Sequence, residues 1–398
     1  VGGGAGLVFL ENTVYADGDK QSLLDPMRLV LFLTEGMSLR KWADAGILHR
    51  ELLLYEHLAA QGYQVSMISY GSRDAQFLPE GSPIQILDRP VDMDYRTYSW
   101  RIHAIHRDAL MKADVIKSHQ VIGARYAAYA RFRLPKKIPY IARCGYLPSY
   151  FMQQEGAPRG QRIRNAIEEA LSFHRATVIS VPSQAEIDYL HTRYRINQQK
   201  AFACPNWIDT EHFKPNPDIQ KHPRQICFVG RFHPQKAPFD LLDAVKQIPD
   251  VELIMIGGGM LQDQIEAKVK AEQIPATIYS RVDNDTLAEH YNRAAVYVLP
   301  TRYEGGSPKT LLEAMACGVP VVSTDGFGVN EAFKNGVHGI KVPVGDVRAL
   351  RNSIEMLLDA PELATEYGQQ ARAHVVSGYG LDAALEREAM LLSRAVSA

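Results

Sequence analysis

Short unbroken apolar runs, each followed by a helical pattern, recur along this chain in two successive series. The first opens at 28–33 (Arg-Leu-Val-Leu-Phe-Leu) and continues through 64–69, 114–117, 138–142 and 177–181. The second takes in 225–229, 251–256, 277–279, 295–299 and 319–323. A strand covered on both faces has no polar alternation, so such runs interleaved with helices predict parallel sheets sheathed on both sides. Between the series, 206–224 carries three dispersed prolines (Pro215, Pro217, Pro223) and no period, which reads as a linker. The 398 residues are too many for one ordinary core and suit two.

The expectation is therefore an α/β protein of two tandem Rossmann-like domains, 27–205 and 206–376, with a cleft between them. Helices are expected at 48–60, 346–358 and 361–376, with a last amphipathic one at 381–396. Residues 1–26, with three successive glycines and no period, are expected to be a disordered extension. Composition narrows the function. A net charge of −1 leaves no electrostatic footprint for nucleic acid. The four cysteines (Cys144, Cys204, Cys227, Cys317) are scattered among apolar neighbours with no Cys-x-x-Cys, the pattern of reduced thiols in a cytoplasmic protein rather than a zinc site. No stretch of 18 apolar residues is present to span a membrane.

Ligands of open α/β sheets bind beyond the carboxyl ends of the strands, so the loops after the strands are where chemistry is expected. After 295–299 comes Tyr303-Glu304-Gly305-Gly306-Ser307-Pro308-Lys309-Thr310-Leu311-Leu312-Glu313. Ser307 suits an N-cap, Pro308 the first helical position and Gly318 the stop. Lys309 then falls in the first turn, where the helix dipole disfavours a cation unless an anion is near. Glycine amides, a helix N-terminus and a lysine together describe an anion site, with Glu313 one turn further in. The competing reading is a plain Lys309–Glu313 surface pair.

Following 225–229, Gly230-Arg231 and Lys236 put two cations at a strand end, placed to neutralise a diphosphate; a solvated basic loop is the alternative. Gly257-Gly258-Gly259 lacks the dinucleotide fingerprint, which disfavours a dehydrogenase. In the first half, His119 closes 114–117 and Gly36 follows the first strand, where backbone can approach a phosphate. Arg131, Arg133, Lys136 and Lys137 are interleaved with Tyr126, Tyr129, Phe132 and Tyr140, and Arg159, Arg162 and Arg164 follow. Such clusters suit an anionic membrane surface or a solvated helix face. No metal-ligand motif stands at a strand end.

These residues in this order resemble the retaining family 4 glycosyltransferases, which have the GT-B fold. Pro205-Asn206-Trp207-Ile208-Asp209 through Phe213 is similar to the family's domain-junction segment, Gly230-Arg231 with Lys236 to its diphosphate-holding pair, and 300–318 to its Glu-x7-Glu region. Gly36-Met37-Ser38-Leu39 with Arg50-Glu51 and Tyr55 looks like one branch, and His119 matches the N-domain histidine. The resemblance implies transfer of a sugar from a UDP- or GDP-sugar to a hydroxyl of a glycan, lipid or small molecule, with retention and no metal or other cofactor. By the same resemblance Arg231, Lys236, Glu304 and His119 serve the reaction. Glu313 holds the ribose, and Gly36, Gly230, Gly305, Gly306, Ser307, Pro308, Lys309, Thr310 and Leu311 contact the donor. The last helix, 377–398, returns to the first domain, and the protein works in the cytoplasm or at the inner membrane surface. One departure stands out: eight residues, not seven, separate Glu304 from Glu313, so alignment on Glu313 puts Gly305 at the first acidic position. A nucleotide-sugar-binding protein or an epimerase without transferase activity is the alternative function.

Overall fold

The structure is a computed structural model that describes residues 26–398 apart from Arg281. The extension expected at 1–26 therefore lies, but for Pro26, outside the described residues. The first series forms β1 (Arg28–Phe32), β2 (Gln64–Ile68), β3 (Gln85–Leu87), β4 (Val115–Ser118), β5 (Tyr140–Arg143), β6 (Val178–Val181) and β7 (Ala201–Ala203). These make one sheet in the order β3-β2-β1-β4-β5-β6-β7. The second series forms β8 (Gln225–Val229), β9 (Glu252–Ile256), β10 (Ala276–Tyr279), β11 (Val296–Leu299), β12 (Val321–Thr324) and β13 (Gly339–Val342), ordered β10-β9-β8-β11-β12-β13. Every pairing in both sheets is parallel.

The apolar runs lie where double-sided burial demands them. Val296, Tyr297, Val298 and Leu299 of β11 and Leu29 to Phe32 of β1 are all buried. Three strands escaped the sequence reading: β3, β7 and β13 are sheet-edge strands of three or four residues, too short or too exposed to leave an apolar run. Two expected strands start two residues late, at Tyr140 and Val321, each just after a proline (Pro139, Pro320) that has no N–H for the ladder.

The helix Pro361–Tyr379 packs on the second domain, and after Gly380 the helix Leu381–Ser397 crosses to the first. There Leu385, Leu391, Leu392 and Ala395 join one core with Leu29, Leu31, Trp42, Leu52 and Val115. Within it the Glu388 carboxylate accepts from the buried Lys117 ammonium of β4 at 2.5 and 2.6 Å. The two chain crossings lie side by side, since Ile208 N–H donates to the Tyr379 carbonyl at 2.8 Å.

In each sheet the strand order reverses beside the first strand, between β1 and β4 and between β8 and β11. Loops leaving those strands splay apart and open a crevice. His119 and Gly36 follow β4 and β1; Arg231, Lys236 and Glu304 follow β8 and β11.

Candidate active site in the cleft

From β8 the chain turns through Gly230, which Gly257 approaches so closely that a Cβ on Gly257 would stand 1.9 Å from the Gly230 carbonyl oxygen. The glycine triplet thus lets two loops pack together. A single 3₁₀ turn, Pro234–Lys236, capped by the His233 side chain, then carries Lys236. Ala237 closes it with φ of +45°, a left-handed conformation that costs a non-glycine residue about 1–2 kcal/mol.

The buried amide of Gln235 knits this loop to the one after β11. Its nitrogen donates to the Tyr303 carbonyl (2.8 Å) and to Glu304 Oε2 (3.3 Å), and its oxygen accepts from Arg231 Nη2 (2.9 Å). Lys236 Nζ meets Glu304 Oε1 at 2.5 Å. Arg231, Lys236 and Glu304 are therefore one constellation. Sequence reasoning missed Gln235, whose only signal was its place between the two cations.

Gly305 and Gly306 follow Glu304 in the turn before the helix. A Cβ on Gly305 would stand 2.4 Å from Tyr146 Cβ, and one on Gly306 would stand 2.0 Å from Pro182 Cβ, with Gly306 at φ of +74°. Both glycines are required because loops of the first domain press on them. Glu304, not Gly305, holds the carboxylate against Lys236. Arg231, Gln235, Glu304 and Gly305 face Tyr146 and Phe151 of the first domain across a cavity of about 520 Å³.

The following helix spans Lys309–Ala316, shorter at both ends than expected. Pro308, not Ser307, occupies the cap position, and no side chain caps it. Ser307 is buried, and its carbonyl accepts from Asn206 Nδ2 (2.9 Å) at the domain junction. The Thr310 hydroxyl accepts from Tyr297 (2.8 Å), and the Leu311 side chain is wholly in the core. Any contact of Leu311 with a ligand runs through its backbone.

Lys309 and Glu313 do not form the simple surface pair. Glu313 is buried and accepts from the Tyr291 hydroxyl at 2.9 Å. Burial pushes its pKa up, while Tyr291, Arg50 and Lys309 pull the other way. Lys309 instead reaches the first domain, 3.8 Å from Glu51 Oε1, and burial pushes its pKa down to about 8.

His119 stands at a second, smaller cavity of about 60 Å³ with Arg50, Glu51, Arg143 and Lys309. Its Nε2 lies 3.1 Å from Glu51 Oε2 and its Nδ1 3.2 Å from Thr34 Oγ1. Burial lowers the His119 pKa against the opposing pull of Glu51. Burial also resists ionisation of Glu51, yet Lys309, His119 and Arg50 together hold it well below the usual carboxylate range. A neutral imidazole donating from Nε2 to ionised Glu51 and accepting at Nδ1 from Thr34 satisfies all three groups. Gly36 has φ of +73°, and a Cβ on it would meet nothing within 4 Å, so its backbone conformation and not crowding calls for glycine.

The cleft thus holds two chambers. Arg231 and Glu304 line the larger, with Lys236 paired to Glu304; His119 and Lys309 meet at the smaller; Glu313 stands behind Lys309 in the second domain's core. Among the described residues no group of three or more His, Cys, Asp or Glu side chains is placed to hold a metal ion, and no helix is long and apolar enough to cross a membrane.

Comparison with known proteins gives the arrangement its relatives. Residues 52–212 match the model of Glycosyltransferase Family 4, and 209–374 match that of Glycosyl transferases group 1. The chain is 28% identical over 192 residues to a GDP-mannose-dependent alpha-(1-6)-phosphatidylinositol monomannoside mannosyltransferase of Mycolicibacterium smegmatis. That match takes in 42% of this chain and 50% of the relative, so the chain spans half the length of that protein. In fold it is similar to a sucrose-phosphate synthase from Thermosynechococcus elongatus (TM-score 0.76, 20% identity, 93% of this chain and 99% of that one). It is also similar to Anabaena HepE, solved in complex with UDP (TM-score 0.73, 16% identity, 92% and 100%). Two family models laid end to end over 52–374, on two Rossmann-like domains of the GT-B fold, lead to one conclusion: the chain belongs to glycosyltransferase family 4.

Proposed function

We propose that the protein transfers a hexosyl group from a UDP- or GDP-sugar to a hydroxyl acceptor, with retention at the anomeric carbon and without a metal. The observation that carries this is the meeting of Arg231, Lys236 and Glu304 at the second sheet's switch point, opposite the first domain's wall. In this reading the donor diphosphate lies between Arg231 and Lys236, which take the charge that develops as the bond from the anomeric carbon to the phosphate oxygen breaks. The acceptor oxygen bonds to that carbon from the same face, and its proton passes to the departing phosphate. Glu304 sits by the sugar and shares Lys236 with the diphosphate. Glu313 accepts the ribose hydroxyls in charge-assisted bonds, and Gly306 to Thr310 offer amides and Lys309 to the donor. His119 lines the acceptor side.

The relative's name includes GDP-mannose and HepE was solved with UDP, which supports a nucleotide-sugar donor of either base. The phosphatidylinositol monomannoside in the relative's name favours a lipid-linked acceptor. Thermal-shift screening tests the donor first: a bound donor at 100 times its Kd adds about 2.7 kcal/mol of stability. A transfer assay with the selected donor then tests the site. The Arg231→Ala/Lys236→Ala variant is expected to lose at least about a hundredfold in kcat, and full activity in it sinks the diphosphate assignment. Proton NMR of the product tests retention, since an inverted anomer contradicts it. Activity that disappears in EDTA contradicts the metal-free reading.

A further inference from the structure

The helix Arg159–Arg175 buries Ala166, Glu169, Ser172 and Phe173 against the first domain, as its amphipathic period requires. Its outer face is then expected to be polar, and it is not. Ile163, Ile167 and Leu171 follow one another at intervals of four residues, 54%, 54% and 47% exposed. Leu171 also lines an apolar groove of about 350 Å³ with Trp100, Tyr129 and Phe132, the last 78% exposed. Of the aromatic residues expected to interleave the basic cluster there, Tyr126 and Tyr140 are buried and only Tyr129 and Phe132 reach this groove.

At the other end of the same helix, Arg159, Arg162 and Arg193 line a pocket of about 260 Å³ together with Ser149, Gln153 and Tyr189. None of the three guanidinium groups forms an ion pair among the described residues. Arg193 has the Tyr194 ring beside it, 5.8 Å from its guanidinium carbon, and acts on the buried Glu169 only at a distance. The helix's one half-buried acid near the groove, Glu168, is already taken by Arg125. Unpaired guanidinium forks converging on a concavity match a phosphate, and an exposed apolar stripe running from that concavity matches the acyl boundary beneath a phosphate layer.

We propose that this face docks on an anionic lipid bilayer, with a headgroup phosphate seated among Arg159, Arg162 and Arg193 and the Ile163–Ile167–Leu171 stripe lowered to the acyl boundary. It uses none of the donor-site residues, so its failure and the failure of the transferase reading are separable. The test is flotation of the full chain with phosphatidylcholine vesicles, with and without phosphatidylglycerol. Binding is expected only with the anionic lipid and is expected to fall at high salt. Each arginine contributes about fivefold in affinity, so Arg159→Gln/Arg162→Gln/Arg193→Gln is expected to bind about a hundredfold more weakly. Ile163→Ser/Ile167→Ser, at exposed positions that leave the fold intact, is expected to weaken binding as well. Equal binding to neutral vesicles, no binding to either, or wild-type binding by the triple arginine variant overturns the proposal. Stabilisation by inorganic phosphate without vesicle binding overturns the bilayer assignment and leaves a soluble phosphate ligand in its place. Wild-type circular dichroism and thermal melting in every variant show that loss of vesicle binding is not loss of fold.

Discussion

Lys309 is asked to hold a charge where burial resists it. Its pKa is pushed down from 10.5 to about 8, with Glu51 the chief group pulling it back up. An unfolded chain keeps this proton to 10.5, so between about 8 and 10.5 the unfolded state binds more protons and the lysine's share of stability rises with pH. Donor binding carries the opposite sign, because a phosphate beside the ammonium favours the charged form. In the proposed role, binding near pH 8 takes up a proton and affinity falls as pH rises past that value. Calorimetry in two buffers of different ionisation enthalpy is expected to show this uptake, and Lys309→Arg to abolish it. Undiminished uptake in the arginine variant would put the proton elsewhere. The residues around Lys309 also show what a sequence carries and what it does not. Arg231 and Lys236 were legible as cations at a strand end, and Glu313 as a carboxylate one turn inside an expected anion site. Gln235 has no charge, period or motif to mark it, though it ties Arg231, Tyr303 and Glu304 together. Glu51 stands far from Lys309 in the chain, and nothing local to either discloses their pairing.

At the scale of the element, the turn before the helix Lys309–Ala316 is decided by packing from outside it. The sequence read Ser307 as a cap because serine commonly accepts from the first turn; in the fold Pro308 stands at that position and Ser307 is buried at the domain junction. The extra residue between the two glutamates raised a question of register that alignment alone answers by favouring Gly305. In the fold, Gly305 and Gly306 are both positions where a Cβ would collide with the first domain. Gly306→Ala is therefore expected to act on the cleft more than on either core. A left-handed alanine costs about 1–2 kcal/mol, and its methyl would meet Pro182 at 2.0 Å unless the domains part. Small-angle scattering is expected to show a larger radius of gyration and a transfer assay a lower kcat. Gly258→Ala, whose nearest neighbour would be 3.5 Å away, is the matched control and is expected to change neither. An unchanged radius with Gly306→Ala would mean that the loop yields instead. The edge strands β3, β7 and β13 were invisible for a related reason: their partners, not their own composition, make them strands.

For the whole molecule, the two series of apolar runs were enough to indicate two parallel sheets, because double-sided burial leaves a mark in every interior strand. The path of the last helix was implied only by family resemblance, since an amphipathic pattern does not say which domain it covers. The structure shows what holds it there: four apolar residues and the Lys117–Glu388 pair. Removing one partner of a buried pair leaves an uncompensated charge, so Lys117→Met is expected to cost about 3–5 kcal/mol in urea unfolding. Lys117→Met/Glu388→Leu is expected to recover most of that, because apolar replacement of both partners is often neutral or better. A double variant as unstable as the single one would show that shape, not charge, sets the cost.

That shared core has a consequence for how the protein is made. Leu385, Leu391 and Leu392, which cover Leu29 and Leu31, leave the ribosome only after the whole second domain has been made. At roughly 5–20 residues per second the interval is on the order of tens of seconds. Through that time the nascent first domain presents an open apolar face, and it can be finished only after the second domain has been synthesised. The first domain is thus begun before the second and completed after it, and a chaperone that shields that face during elongation would act at the step where the protein is most exposed to misassembly.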